Sequence, residues 1–239
     1  MKARPSGSPD RLVLLDFDGT LASREGIWSG CVLEVLDSHL PGHGLTVERI
    51  RAAMTGRYLW NTPAEPHLHL CEPDSWWTEM QGRIAAALLE AGLAPGADGA
   101  TLARAVRERF LDATVGWSLF PDTVPALQSL RTAGWRTGVL SNHVPELAEL
   151  ARALGVHELL DAVFTSGLSG YEKPHSEAFR IAVDAFGDPE QVWMVGDSVG
   201  ADVDGAEALG IPAVLVRTTG EVARHAEDLL GAVELILAG

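Results

Sequence analysis

The residues best placed to do chemistry in this sequence begin near its start. Asp16 and Asp18 stand one residue apart in RLVLLDFDGTLAS, directly after an apolar run. Alone, such a pair is weak evidence, because an ordinary strand that meets a loop also ends in acidic turn residues. It gains meaning from the polar residues that close other apolar runs. Ser141 and Asn142 follow WRTGVL, Asp197 follows VWMVG, and Lys173 stands in the loop beyond AVFTS. Gathered at one place, three carboxylates, a hydroxyl and a lysine could handle an anionic substrate, since a metal ion and a few basic groups can reverse the sign of a local pocket.

That gathering requires the apolar runs to be strands of one sheet. From residue 121 onward helical and extended patterns alternate: a helix near 123–133, a strand ending at Ser141, a helix over about 145–154, the strand AVFTS, and a helix over 176–186. The strand VWMVGD, a helix near 201–209, the strand AVLV and a helical stretch from about Glu221 complete the series. Continuous apolar runs, rather than strict alternation, predict a doubly wound parallel sheet covered by helices on both faces, with residues 11–16 as a further strand. In such sheets ligands bind beyond the carboxyl ends of the strands, where all of these polar residues should lie.

Residues 24–113 differ. Helical patterns around 27–38, 46–54, 75–91 and 99–112 carry no convincing strand between them, so 24–113 reads as an all-helical insert within a core made of 1–23 and 114–239. Its middle, TGRYLWNTPAEPHLHLCEPDSWW, reads as a long loop, and loops of that length in compact domains are often functional. Hinges between the parts are expected near 23–26 and 115–116.

With 239 residues, of which 46% are hydrophobic, the chain can bury a sizeable core. Its 18 basic and 33 acidic side chains leave a formal charge of −15, which disfavours a nucleic-acid or anionic-membrane partner. Cys31 and Cys71 are isolated and suggest neither a disulfide framework nor a zinc site. The first ten residues read as a frayed tail without the apolar core of a signal peptide, no run reaches membrane-spanning length, and a cytoplasmic location is the expectation.

DFDGT at 16–20, LSN at 140–142, SGLSGYEKP at 166–174 and GDSVGADVDGA at 196–206 occur in the order and spacing of the motifs of the haloacid dehalogenase superfamily. The chain resembles a phosphohydrolase of that superfamily, and the insert lies where its helical C1-type cap belongs. The resemblance implies a Rossmann-like core and a magnesium-dependent phosphatase that acts on a small phosphorylated metabolite. Asp16 would be the nucleophile that forms an aspartyl-phosphate, and Asp18 the acid and base that moves the proton. Mg2+ would be held by Asp16, Asp197 and the backbone carbonyl of Asp18. Ser141, Asn142 and Lys173 would bind the phosphoryl group, with Asp202 orienting Lys173 or a metal-bound water.

Asp18 disfavours a dehalogenase, whose corresponding residue is generally not aspartate. A phosphomutase of the same superfamily and a catalytically retired binding module stay open, as does a monomer or a homodimer. Ser141 could cap the following helix while still binding an anion. Arg57, Trp60 and Asn61 are the candidates for contacts to the leaving group. His143 is expected to border the site without a catalytic part, His67 and His69 to hold no metal, and Trp76 and Trp77 to serve the core of the cap.

Overall fold

The computed structural model describes residues 10–94 and 98–239. The expected N-terminal tail therefore lies, apart from Asp10, outside the described residues. Strand β1 (Arg11–Leu15) is apolar on both faces: Val13 and Leu15 enter one layer of the core, Leu12 and Leu14 the other. A strand buried on both sides belongs inside a parallel sheet, and β1 pairs in parallel with a neighbour on each side.

Two further strands, β2 (Ala22–Arg24) and β3 (Trp117–Leu119), make an antiparallel ribbon of their own. The remaining strands are β4 (Arg136–Ser141), β5 (Ala162–Thr165), β6 (Gln191–Gly196), β7 (Ala213–Val216) and β8 (His225–Ala226). Together with β1 they form a six-stranded parallel sheet in the order β5-β4-β1-β6-β7-β8. The carboxyl ends of β1, β4 and β6 thus lie side by side and deliver Asp16, Ser141 and Asp197 to one edge.

Helices α1 (Ile27–His39), α2 (Val47–Met54), α3 (Pro73–Glu90) and α4 (Gly99–Leu111) form a unit between β2 and β3. Its centre is aromatic: Trp28 stacks on Phe110 with ring centroids 4.2 Å apart, and Trp76 and Trp77 are buried beside them. The expected loop of this unit contains two short 3-10 turns, Leu59–Asn61 and Leu68–Leu70.

In the core, α5 (Thr123–Thr132), α6 (Leu147–Ala153) and the C-terminal helix cover one face of the sheet. A single-turn helix α7 (Ser166–Ser169) follows β5, while α8 (Ser176–Ala185) covers the other face through Ala178, Phe179 and Ala182. Where one helix is expected over 201–209, a π-turn spans Val199–Asp204 and leads into the single turn α9 (Gly205–Glu207). The wide turn follows from Asp202, whose Oδ2 accepts a hydrogen bond from Ser198 N at 3.0 Å while the Val203 N–H reaches back to Ser198 O. Such turns recur at functional sites.

The expected helical stretch from Glu221 is also corrected: the chain first adds β8 to the sheet edge, and α10 (Leu229–Ala238) starts after Asp228, whose Oδ1 accepts from Gly231 N.

The insert joins the core through the ribbon, which overlaps the segment 23–26 and directly follows 115–116. Arg24 of β2 is buried there and makes a bidentate ion pair with Glu34 of α1, at 2.9 and 2.7 Å. Gly116, with φ +80°, leaves room for it, because a Cβ at that position would lie 2.5 Å from Arg24 Nη1. Removing one partner of a buried pair strands the other charge. Glu34→Ala is therefore expected to destabilise the protein by about 2–3 kcal/mol, less than the roughly 3–5 kcal/mol of a fully buried pair because Glu34 is partly exposed. Urea unfolding checks this, and a change below about 0.5 kcal/mol would show that the ion pair does not hold the ribbon.

Candidate active site

The site starts where β1 ends. Asp16 N donates to Val195 O at 2.9 Å, so the pairing with β6 runs one residue past the strand and fixes the Asp16 backbone. The chain then turns through Gly19, which has φ +76°; a Cβ there would stand 2.2 Å from Asp197 Oδ2. Glycine therefore lets the turn after β1 approach the carboxylate that follows β6.

Lys173 is the centre of the polar set. It is 2% exposed, and its Nζ donates to Asp16 Oδ1 at 2.8 Å and to Asp202 Oδ1 at 2.5 Å. Its backbone is clamped by Asn142, whose Oδ1 accepts from Lys173 N at 2.7 Å and whose Nδ2 donates to Lys173 O at 2.9 Å. The Asn142 carboxamide, expected to bind phosphate, is thus committed to positioning Lys173. Ser141 is buried at the end of β4 and precedes no helix directly, since α6 begins only at Leu147.

Carboxylate oxygens of Asp16, Asp197 and Asp202 lie within 4.8 Å of one another. Burial, then repulsion from Asp16 and Asp202, pushes Asp197 up to about 7, with Lys173 opposing the rise. Burial also raises Asp202 against the pull of Lys173. Burial alone would lower Lys173, but Asp16 and Asp202 together hold it above its usual value. Three carboxylates with one ammonium leave the cluster short of positive charge. Both oxygens of Asp202 are engaged, by Lys173 and by Ser198 N, whereas Lys173 takes only Oδ1 of Asp16, so Asp16 and Asp197 are the carboxylates with an oxygen to offer a cation. An all-oxygen donor set of this kind suits Mg2+.

Asp18 occupies different surroundings. Its side chain is 21% exposed and borders a cavity of about 310 Å³ between core and insert, together with Ile27, Arg51, Tyr58, Trp60 and Asn142. Tyr58 and Trp60 stack in parallel, with centroids 4.8 Å apart. Of the three residues expected to meet a leaving group, only Trp60 lines this cavity. Arg57 donates to Ala53 O and pairs with Glu90, and Asn61 Oδ1 accepts from Tyr58 N to close the 3-10 turn. A cavity of about 370 Å³ along α8 shares no residue with the carboxylate set.

His67 belongs to no metal cluster among the described residues. Its Nδ1 lies 3.0 Å from Glu172 Oε2 and its N donates to Gly170 O at 2.7 Å, which ties the insert to the loop that carries Lys173. Arg51, Tyr58 and His67 have no motif in the sequence, and only the docking of the insert brings them here.

The profile of the haloacid dehalogenase-like hydrolases matches residues 11–210. The chain belongs to that family. A glyceraldehyde 3-phosphate phosphatase of Methanothermobacter thermautotrophicus is 38% identical over 102 residues, which cover 41% of this chain and 45% of that protein. A phosphoserine phosphatase of Thermus thermophilus is 34% identical over 161 residues, 66% of this chain and 62% of that protein. The matches thus span about half to three fifths of these curated relatives. The HAD hydrolase YfnB of Bacillus subtilis, in a magnesium-bound crystal structure, shares the fold at a TM-score of 0.74 and 18% identity, covering 96% of this chain and 100% of that one.

The raised Asp197 has a consequence for stability. Its folded value lies above that of an unfolded aspartate, so this carboxyl costs the metal-free protein stability as pH rises from about 4 to about 7. Asp197→Asn, which removes the charge at nearly constant shape, is expected to leave stability unchanged at pH 4. In EDTA it should gain about 2 kcal/mol by pH 8, after allowance for the remaining solvent contact. Urea unfolding across that range checks it, and a variant no more stable than wild type at pH 8 would contradict the crowding of carboxylates.

Proposed function

We propose that this chain is a magnesium-dependent phosphatase that hydrolyses a small phosphomonoester through an aspartyl-phosphate on Asp16. The observation that carries the reading is the unequal pair of carboxylates. Asp16 is held by Lys173 next to the acidic cluster, whereas Asp18, one turn residue away, faces the cavity. One is placed to bond and the other to move a proton.

In the first step an Asp16 oxygen attacks phosphorus while the bond from phosphorus to the ester oxygen breaks, and Asp18 gives its proton to the departing alkoxide. In the second step Asp18 takes a proton from water as that water attacks phosphorus, which frees Asp16 and inorganic phosphate. Lys173 neutralises charge on the transferring group, and Ser141 contributes its hydroxyl. Asn142 and Asp202 act on Lys173, one at its backbone and the other at Nζ. Bound Mg2+, held by Asp16, Asp197 and the Asp18 carbonyl, would supply positive charge that offsets repulsion between carboxylate and phosphate. The four-helix insert is the cap, which closes the cavity to bulk water.

The cavity also bears on the substrate. About 310 Å³ suits a small molecule, the Tyr58–Trp60 stack forms an apolar wall, and Arg51 makes no salt bridge among the described residues. An alcohol that carries its own anionic group would find a cationic side chain in Arg51. The activities of the two relatives, on glyceraldehyde 3-phosphate and phosphoserine, support the small phosphomonoester class.

A panel of phosphorylated metabolites, assayed for phosphate release with and without magnesium, is expected to give a magnesium-dependent substrate whose turnover falls at least about a thousandfold in Asp16→Asn. Near-normal turnover of that variant would remove Asp16 from the role of nucleophile, and transfer to a second hydroxyl in place of phosphate release would indicate a mutase. On substrates with an anionic alcohol, Arg51→Ala is expected to raise KM by about tenfold or more with little change in kcat. An unchanged KM would exclude Arg51 from recognition.

A further inference from the structure

His143 directly follows the Ser141–Asn142 pair and is 2% exposed. Among the described residues neither of its ring nitrogens has a hydrogen-bond partner. Around the ring stand Phe17, Phe110 and Trp117, with centroids 5.7, 5.7 and 5.8 Å away, contributed by the turn after β1, by α4 of the insert and by the ribbon strand β3. The polar group that faces it is a carboxylate: Nε2 lies 3.5 Å from Asp18 Oδ1. That oxygen is itself buried and unpartnered. A buried imidazole with no partner is costly in an apolar cage. Here two orphaned groups face each other, slightly beyond ordinary hydrogen-bond length.

The two oxygens of Asp18 are therefore unequal. Oδ1 is enclosed against His143, so the 21% exposure of the side chain falls to its other atoms, and Asp18 borders the cavity. We propose that His143 is a positioning residue for the proton transfer. Its Nε2–H donates to Asp18 Oδ1, fixes the carboxyl rotamer and leaves Oδ2 toward the leaving-group oxygen. Phe110 and Trp117 belong to the insert and its ribbon, so the docking of the cap also sets the position of this ring. The kinetic part of the test rests on the phosphatase reading, and a spectroscopic part does not.

His143→Phe keeps an aromatic ring in the cage and removes the donor, whereas His143→Gln restores an N–H of similar reach. Each is assayed by kcat/KM, which reads the steps through formation of the phosphoenzyme. The two substrates are an alkyl phosphate, whose alkoxide needs a proton to leave, and 4-nitrophenyl phosphate, whose phenolate does not. His143→Phe is expected to lose about tenfold to a hundredfold on the alkyl ester and less than about threefold on the nitrophenyl ester, and His143→Gln to recover part of the selective loss. Equal losses on both esters, or none, would overturn the proposal.

Independently of turnover, 15N spectra of the imidazoles are expected to show His143 as the Nε2–H tautomer, with a resonance that moves in Asp18→Ala. An Nδ1–H tautomer, or a resonance indifferent to that substitution, would overturn the proposal even with phosphatase activity intact. If wild type releases no phosphate from either ester, the phosphatase reading fails and the spectra still decide the contact.

Discussion

A buried ammonium holds this molecule's chemistry together. Lys173 Nζ lies between Asp16 and Asp202, and without it the crowded carboxylates at the ends of β1 and β6 would have no cation to share. A lysine taken out of water needs partners that offset its desolvation, and two carboxylates at hydrogen-bond length do so. Much of the nearby backbone serves this arrangement. Asn142 grips Lys173 at both N and O, Ser198 N steadies Asp202, and the π-turn after β6 accommodates that carboxylate. The β-strand ends supply the groups, but the loops aim them.

Charge balance at this edge is incomplete, and that sets what the site can receive. Burial and mutual repulsion raise Asp197 to about 7, the behaviour of a carboxyl placed where a cation would be welcome. The overall charge of −15 says nothing about this pocket, because local ions govern local potential. An anionic substrate and an acidic protein are compatible once a cation and Lys173 stand between them.

The insert completes the site from above. Its aromatic centre, built on Trp28, Trp76, Trp77 and Phe110, packs α1, α3 and α4 against one another. The insert meets the core at separate points: the ribbon with its buried Arg24–Glu34 pair, Trp77 and Arg107 on Glu146, and His67 on Glu172. One of these contacts, His67 on Glu172, ends next to Lys173 in sequence, so the position of the insert and the geometry of the site are physically coupled.

The sheet and the motifs at its edge were legible in the sequence because both are local. Strands buried on two faces show as continuous apolar runs, and the residues that close them must lie at the carboxyl edge whatever the details of packing. On that basis Asp16, Asp18, Ser141 and Asp197 could be placed at that edge with Lys173 in a neighbouring loop, whereas Asp202 followed only from the resemblance of its motif. The roles of other residues depended on contacts between distant segments. Asn142 turned inward to hold Lys173 across 31 positions, and Arg57 and Asn61 were spent on partners within the insert, while Arg51 and Tyr58 came to the cavity. His143 shows the division most clearly. The sequence by itself placed it next to the site, but whether its ring met solvent, core or Asp18 was decided by the packing of Phe110 and Trp117 around it, which no local pattern encodes.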